Sequence, residues 1–239
     1  MNWKEYWTTQ PRSVAETEFA RQVGHTIGGR PYSDEQFEPM TAGLIALLDL
    51  RSTDVLLDLC CGNGLLTSRL ATGCRHVIGV DFSPVLLDVA RKYHQPANVE
   101  FHESDVLSLS GLPAGSTATV TRVLMHAALQ HFHQRDFPAL IARVVQRCPR
   151  AATIVFGCVP DRAQRWQFYN TLARRFSYVK SVLQRNSALG QWWSREYITT
   201  VCRQYGLQCA FTPAVDYHVS HYRFDVRMVR LEQGAGAKE

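Results

Sequence analysis

The apolar positions of this chain fall into two rhythms, short continuous runs and stripes at helical spacing. Val55 to Leu59 is an apolar run broken by one acid, the pattern of a strand buried on both faces. Gly62 and Gly64 interrupt it, and Leu65, Leu66 and Leu70 then recur at helical spacing, so the unit reads as strand, glycine turn, helix. A second strand over 76–80 ends at Asp81, and Pro84 suits the first turn of a helix running to Tyr93. A third strand is expected over 99–106, ending at Asp105, and a fourth over 118–124. Residues 136–148 carry Phe137, Leu140, Ile141, Val144 and Val145 on one stripe, an amphipathic helix before a buried fifth strand at 152–157. Ser194 suits the cap of a helix ending at Gly206, and 207–212 and 217–231 read as a terminal hairpin of strands.

Ahead of the first strand, 14–19 and 40–50 show helical patterns, and Ser33, Asp34 and Glu35 open a helix. Between them, 22–33 is too rich in Gly and Pro for a helix interior. Strands alternating with helices imply a doubly wound, mostly parallel α/β sheet. Ligands of such sheets bind outside the strand carboxyl ends, where Asp58, Asp81 and Asp105 stand in succession. A carboxylate beside the glycine turn repels a pyrophosphate and suits a ligand that is positive there. Asp81, 17 residues after Gly64, stands where an acid takes both hydroxyls of a ribose.

Asp58-Leu-Cys-Cys-Gly-Asn-Gly64 resembles the first motif of class I S-adenosylmethionine-dependent methyltransferases, with Cys60 in place of the usual first glycine. The resemblance covers about residues 50–157 and implies a seven-stranded Rossmann-like sheet whose last strand is antiparallel. It implies S-adenosylmethionine as cofactor, held by Asp58, Cys60, Gly62, Gly64, Asp81, Phe82, Ser83, Asp105, Val106 and Met125. Phe82 would pack on the adenine and Asp105 would accept from its exocyclic amine. Residues 1–50 would form a helical lid, with Tyr6, Trp7, Gln22, Thr26, Arg30 and Tyr32 on the lid and substrate wall. The alternative is that Trp3, Tyr6 and Trp7 simply staple a helix to the core. Residues 51–239 would form the methyltransferase domain, with a helical cap at 160–193 and a disordered tail at 234–239.

Similar enzymes acting on small molecules often carry adjacent histidines after the fourth strand, one serving as base. Here that pair is Gln130-His131, and His126 at the strand end is a second candidate. Either histidine can take a hydroxyl proton near neutral pH, or merely bond the backbone. Arg30, Tyr32, Trp193, His221 and Tyr222 are the expected substrate-side residues, although Arg223 and Asp225 also read as an internal ion pair. Neither an Asn/Asp-Pro-Pro-Tyr/Phe sequence nor a Pro-Cys follows the fourth strand, which argues against an adenine amine or a cytosine ring as acceptor.

Composition narrows the field further. The chain has 239 residues, 46% hydrophobic and 20% charged, ordinary for a globular α/β domain. Nothing in it reads as a membrane span or a secretory signal, and seven cysteines without a C-x-x-C pair suggest reduced thiols in the cytoplasm. His131 and His133 lack further ligands at metal spacing, so no metal is expected. The net charge of +5 is uneven, with 15 basic and 6 acidic side chains in 141–239. That basic third reads first as a solvated helix face; an anionic substrate or RNA is the other reading, which keeps an RNA or protein methyltransferase open as an alternative. A third possibility is a cofactor-binding partner protein without activity. The favoured expectation is methyl transfer to a small-molecule hydroxyl, such as that of a sugar or secondary metabolite, with the oligomeric state left open.

Overall fold

The computed structural model describes residues 2–184 and 189–231. Its sheet has seven strands: β1 Val55–Leu59, β2 His76–Asp81, β3 Val99–Glu103, β4 Arg122–His126, β5 Thr153–Pro160, β6 Leu207–Pro213 and β7 Arg223–Arg230. Their spatial order is β3-β2-β1-β4-β5-β7-β6. The first five pair in parallel, and β7 runs antiparallel to both β5 and β6. The order reverses between β1 and β4, the switch point where doubly wound sheets open a crevice.

Strand alternation divides the core. Val55, Leu57 and Leu59 of β1 point to one face, with α6 Phe137–Arg147 and α9 Arg195–Gln204. Leu56 points to the other, under α3 Asp34–Leu48, α4 Leu65–Leu70 and α5 Pro84–Tyr93. Asp58 shares the parity of Leu56, so its carboxyl lies under α4. A buried Arg122 ties the layers by donating to Leu48 O and Asp49 O at the end of α3, while Asp54 pairs with it at 3.2 Å. That arrangement satisfies helix-end carbonyls that would otherwise be orphaned.

Several expected boundaries move. Residues 117–120 form turns, Ala118 N–H donating to Gly115 O and Val120 N–H to Thr117 O, so β4 begins only at Arg122. β3 ends at Glu103, which places Asp105 in the loop beyond it. Residues 217–222 are turns, and β7 starts at Arg223. The helix expected at 14–19 does not form; the helix bearing Trp3, Tyr6 and Trp7 is α1 Trp3–Thr9, and a short α2 spans Phe19–Gln22. Residues 26–31 make a two-residue-per-strand hairpin within the Gly- and Pro-rich stretch. After β5 come α7 Arg165–Phe168 and α8 Leu172–Leu183. The tail expected at 234–239 lies outside the described residues.

Arg223 and Asp225 do not pair with each other. A bulge interrupts the β5–β7 register between Phe156 and Val159, and both side chains secure it. Asp225 accepts from Cys158 N–H and Val215 N–H, whereas Arg223 donates to Cys158 O and Gln130 Oε1.

Candidate active site

A cavity of about 370 Å³ opens at the carboxyl ends of β1, β2 and β4, within the range of small-ligand sites. Its floor begins where β1 stops. Cys60 takes φ +61°, Gly62 +57° and Gly64 +76°, so the chain turns through three left-handed positions before α4. A cysteine pays for that conformation where glycine does not, at roughly 1–2 kcal/mol. The family's first glycine is therefore replaced in residue type but kept in backbone conformation. Burial, Asp81 and Asp58 push the thiols of Cys60 and Cys61 well above their usual range, so neither is a ready nucleophile.

The acids are held by distinct contacts. Asp81 accepts from Gly62 N–H at 2.9 Å and Ser83 N–H at 2.8 Å, bridging the turns after β1 and β2. Burial raises its pKa to about 6 against the pull of those N–H groups. Asp58 accepts from Thr67 Oγ1 at 2.6 Å, and burial raises it to about 7, with the charge of Asp81 adding to the rise. Asp105 meets Lys4 Nζ at 2.6 Å and accepts from Leu107 N–H; burial works upward on it, yet these partners leave its pKa lowered.

The roof comes from the N-terminal segment. Asn2, Trp3, Lys4, Trp7, Val23 and His25 line the cavity. Asn63 in the glycine turn donates to Phe19 O and Gln22 Oε1, and Ser83 Oγ donates to Trp7 O, fastening this roof to the sheet. His131 lies under two indoles, with ring centroids 4.2 Å from Trp3 and 5.5 Å from Trp7. His126 stacks on His25 at 5.8 Å. Burial, assisted by the Arg223 cation, lowers His126 and His131 to about 3, so both rings are neutral at pH 7. Nε2 of His126 and Nδ1 of His131 are buried without a hydrogen-bond partner. Gln130, which stands where the family often has a histidine, is a strut: it donates to Ala127 O and accepts from Arg223.

Of the expected cofactor residues, Asp58, Cys60, Gly62, Asp81, Phe82, Asp105 and Val106 line the cavity, as do His126 and His131. Gly64, Ser83 and Met125 do not. Gly64 packs against Phe101, Ser83 holds the roof, and Met125 turns into the core on the opposite face. The substrate-side expectations also move away. Tyr32 is buried and donates to Asp216, Trp193 packs on Phe137, Tyr222 on Phe168, and Arg30 and His221 are exposed. His25 and Lys4 lie in no motif and Asn63 fills an unspecified position of the glycine motif, so only the fold reveals all three as lining the cavity. No group of three or more metal-ligating side chains occurs among the described residues.

The strand order and the crevice at the carboxyl ends define a doubly wound α/β domain of the Rossmann-like type. The sequence model described as the methyltransferase domain matches residues 56–149, somewhat under half of the chain. An uncharacterized methyltransferase of Schizosaccharomyces pombe is 39% identical over 77 residues, 32% of this chain and 29% of that protein. The curated relatives are thus each matched over only 29% of their length. The DhpI–SAM–HEP complex superposes with TM-score 0.63 at 17% identity, covering 96% of both chains. Magnesium protoporphyrin IX methyltransferase of Synechocystis PCC 6803 with bound SAH gives 0.62 at 16%, covering 95% of this chain and 97% of that one.

The residues fit S-adenosylmethionine. Asp58 and Asp81 are raised by burial, a penalty that a cationic ligand beside them relieves. Among the described residues no helix is long and apolar enough to cross a membrane.

Proposed function

We propose that the chain transfers the methyl group of S-adenosylmethionine to a small-molecule acceptor, with a hydroxyl as the favoured nucleophile. The observation carrying this is the convergence of Asp58, Asp81 and Asp105 on one cavity roofed by the N-terminal tryptophans. Bound S-adenosylmethionine supplies a sulfonium methyl already activated toward nucleophiles. The chain's own work is alignment and the exclusion of water.

Asp58 would receive the cationic amino end of the ligand, and Asp81 the ribose hydroxyls. Asp105, once Lys4 shares it, would take the adenine amine. Residues 1–50 act as lid: Trp3 and Trp7 shield the cavity, and Lys4 latches α1 to Asp105. The described residues of 160–193 would act as cap. His131 is better placed than His126 to take the acceptor's proton, since its unpartnered Nδ1 belongs to a ring lining both this cavity and its neighbour. Its contact with Gln130 Nε2, at 3.5 Å, is too long to fix the tautomer. A depressed pKa keeps it unprotonated and ready to accept, while limiting how firmly it holds the proton.

The basic C-terminal third gives weaker support to an RNA acceptor. Its one arginine doublet, Arg174 and Arg175, is engaged with Phe168 O and Tyr169 O. The relatives add a small-molecule precedent in magnesium protoporphyrin IX. Label transfer from isotopically marked methyl donor across a metabolite panel tests the activity. Tight retention of S-adenosylhomocysteine with no labelled product anywhere would instead identify a cofactor-binding partner protein. His131→Ala should lower turnover about 10²–10⁴-fold with cofactor affinity intact; near-normal turnover would remove the role from this histidine.

A further inference from the structure

A second cavity of about 400 Å³ adjoins the first and shares Trp3, His131, Phe132 and His133 with it. Its remaining wall includes Arg162, Arg165, Tyr178 and Trp192, brought in by the segment after β5. The electrostatics of the two cavities are opposite. The first is lined by Asp58, Asp81, Asp105 and Asp136, whereas no carboxylate occurs among the described residues of the second.

Its arginines are free of acidic partners within ion-pair distance among the described residues. The nearest acid in sequence, Asp161, is committed to Arg195 at 2.8 Å and to Ala163 N–H. Arg162 and Arg165 stand about one helical turn apart, a spacing that puts both on one side of the segment. Arg165 is oriented by Tyr178, donating to its hydroxyl at 3.3 Å and lying 5.2 Å from its ring. Its Nε remains buried without a partner, as do Trp192 Nε1 and His131 Nδ1. Arg165 Nε and Trp192 Nε1 are thus buried donors without a partner in the wall of this cavity, while His131 Nδ1 is kept as the proton acceptor. Phe132, Trp3 and Trp192 supply flat apolar surface beside them.

We infer that this second cavity seats the methyl acceptor, and that the acceptor is a small aromatic or unsaturated anion whose carboxylate or phosphate is taken by Arg162 and Arg165. The inference rests on the methyltransferase reading above and adds the acceptor's chemical class. Arginine forks recognise both anions, and a carboxylate and a phosphate ester differ here only in the number of oxygens offered. The acids hold a cationic donor on one side of His131, and the arginines hold an anionic acceptor on the other. The reacting partners are thereby sorted by charge before they meet.

Saturation-transfer NMR on the full chain, with S-adenosylhomocysteine present, tests this with benzoate, phenyl phosphate and neutral benzamide as probes. At least one anion should bind about tenfold or more tightly than benzamide. Whichever anion wins identifies the class as carboxylic acids or phosphate esters. In Arg162→Gln and in Arg162→Gln/Arg165→Gln, the anion's affinity should fall about tenfold or more, with the affinity for S-adenosylhomocysteine and the melting temperature retained. Arg162 is exposed, so its single variant reports on the site even should the double variant fold poorly. Equal binding of benzamide and the anions, or anion binding indifferent to Arg162→Gln, overturns the inference. Binding of an oligoribonucleotide where both small anions fail also overturns it, in favour of a nucleic-acid acceptor. Failure of wild-type chain to bind S-adenosylhomocysteine at all would overturn the underlying methyltransferase reading, a result separable from the others.

Discussion

Asp58 and Asp81 are placed where folding alone disfavours their charge. Burial raises Asp58 from 3.8 to about 7 and Asp81 from 3.8 to about 6. A raised carboxyl favours the proton-bound fold, so these two groups cost no stability below pH 3.8 and an increasing amount as pH rises through 6 and 7. A cationic ligand reverses that balance by stabilising the ionised acids. Affinity for S-adenosylmethionine should therefore rise between pH 5.5 and 8, and binding near pH 6.5 should release protons. Calorimetry in buffers of different ionisation enthalpy measures this, and proton uptake or a flat pH profile would contradict it. These acids were legible in the sequence because each stands at or just past a strand end beside a turn. The neutrality of His126 and His131 was not, because it depends on Arg223, distant in sequence, and on a roof of tryptophans.

At the scale of elements, the glycine turn separates two kinds of left-handed residue. A Cβ on Gly64 would stand 2.7 Å from Phe101 Cζ and 3.1 Å from Ala90 Cβ, in a backbone conformation L-residues avoid. Gly64→Ala should destabilise the chain by about 1–3 kcal/mol, seen as a lowered denaturation midpoint. Cys60→Gly, which removes strain at φ +61° while adding chain entropy, should stay within ~1 kcal/mol of wild type. Comparable losses in both variants would show that the turn is not set by backbone strain. Strands with continuous apolar runs, such as β1 and β5, were readable because burial on both faces leaves no polar alternation. β4 was displaced because Thr119, Val120 and Thr121 look strand-like, yet Ala118 N–H and Val120 N–H are spent in turns on Gly115 O and Thr117 O. The bounds of α1 were not legible because Trp3–Thr9 has no buried residue; Trp3 and Trp7 instead pack on the His131 ring.

Across the whole molecule, segments from the two flanks of the sheet close over its carboxyl edge. The N-terminal segment brings Lys4 and two indoles to the acids, and the segment after β5 brings arginines to the neighbouring cavity. The basic C-terminal third was legible in the sequence, but not which of its arginines reach the neighbouring cavity: Arg162 and Arg165 line it, and the Arg174–Arg175 doublet does not. A roof fastened through Ser83 and Lys4 should slow ligand escape. Trp7→Ala should accelerate dissociation of S-adenosylhomocysteine by about tenfold or more in stopped-flow displacement, with less change in association. Unchanged dissociation would mean that the tryptophan packs without gating.

The account turns on a cavity that joins acids from neighbouring strand ends around a cationic nucleoside. Isothermal titration of S-adenosylmethionine into the wild-type chain and into Asp81→Ala tests it most directly. The expected result is saturable binding to wild type, weakened in the variant by about 1–3 kcal/mol through lost charge-assisted hydrogen bonds. Absence of binding to folded wild type, or equal affinity in a folded variant, would contradict it.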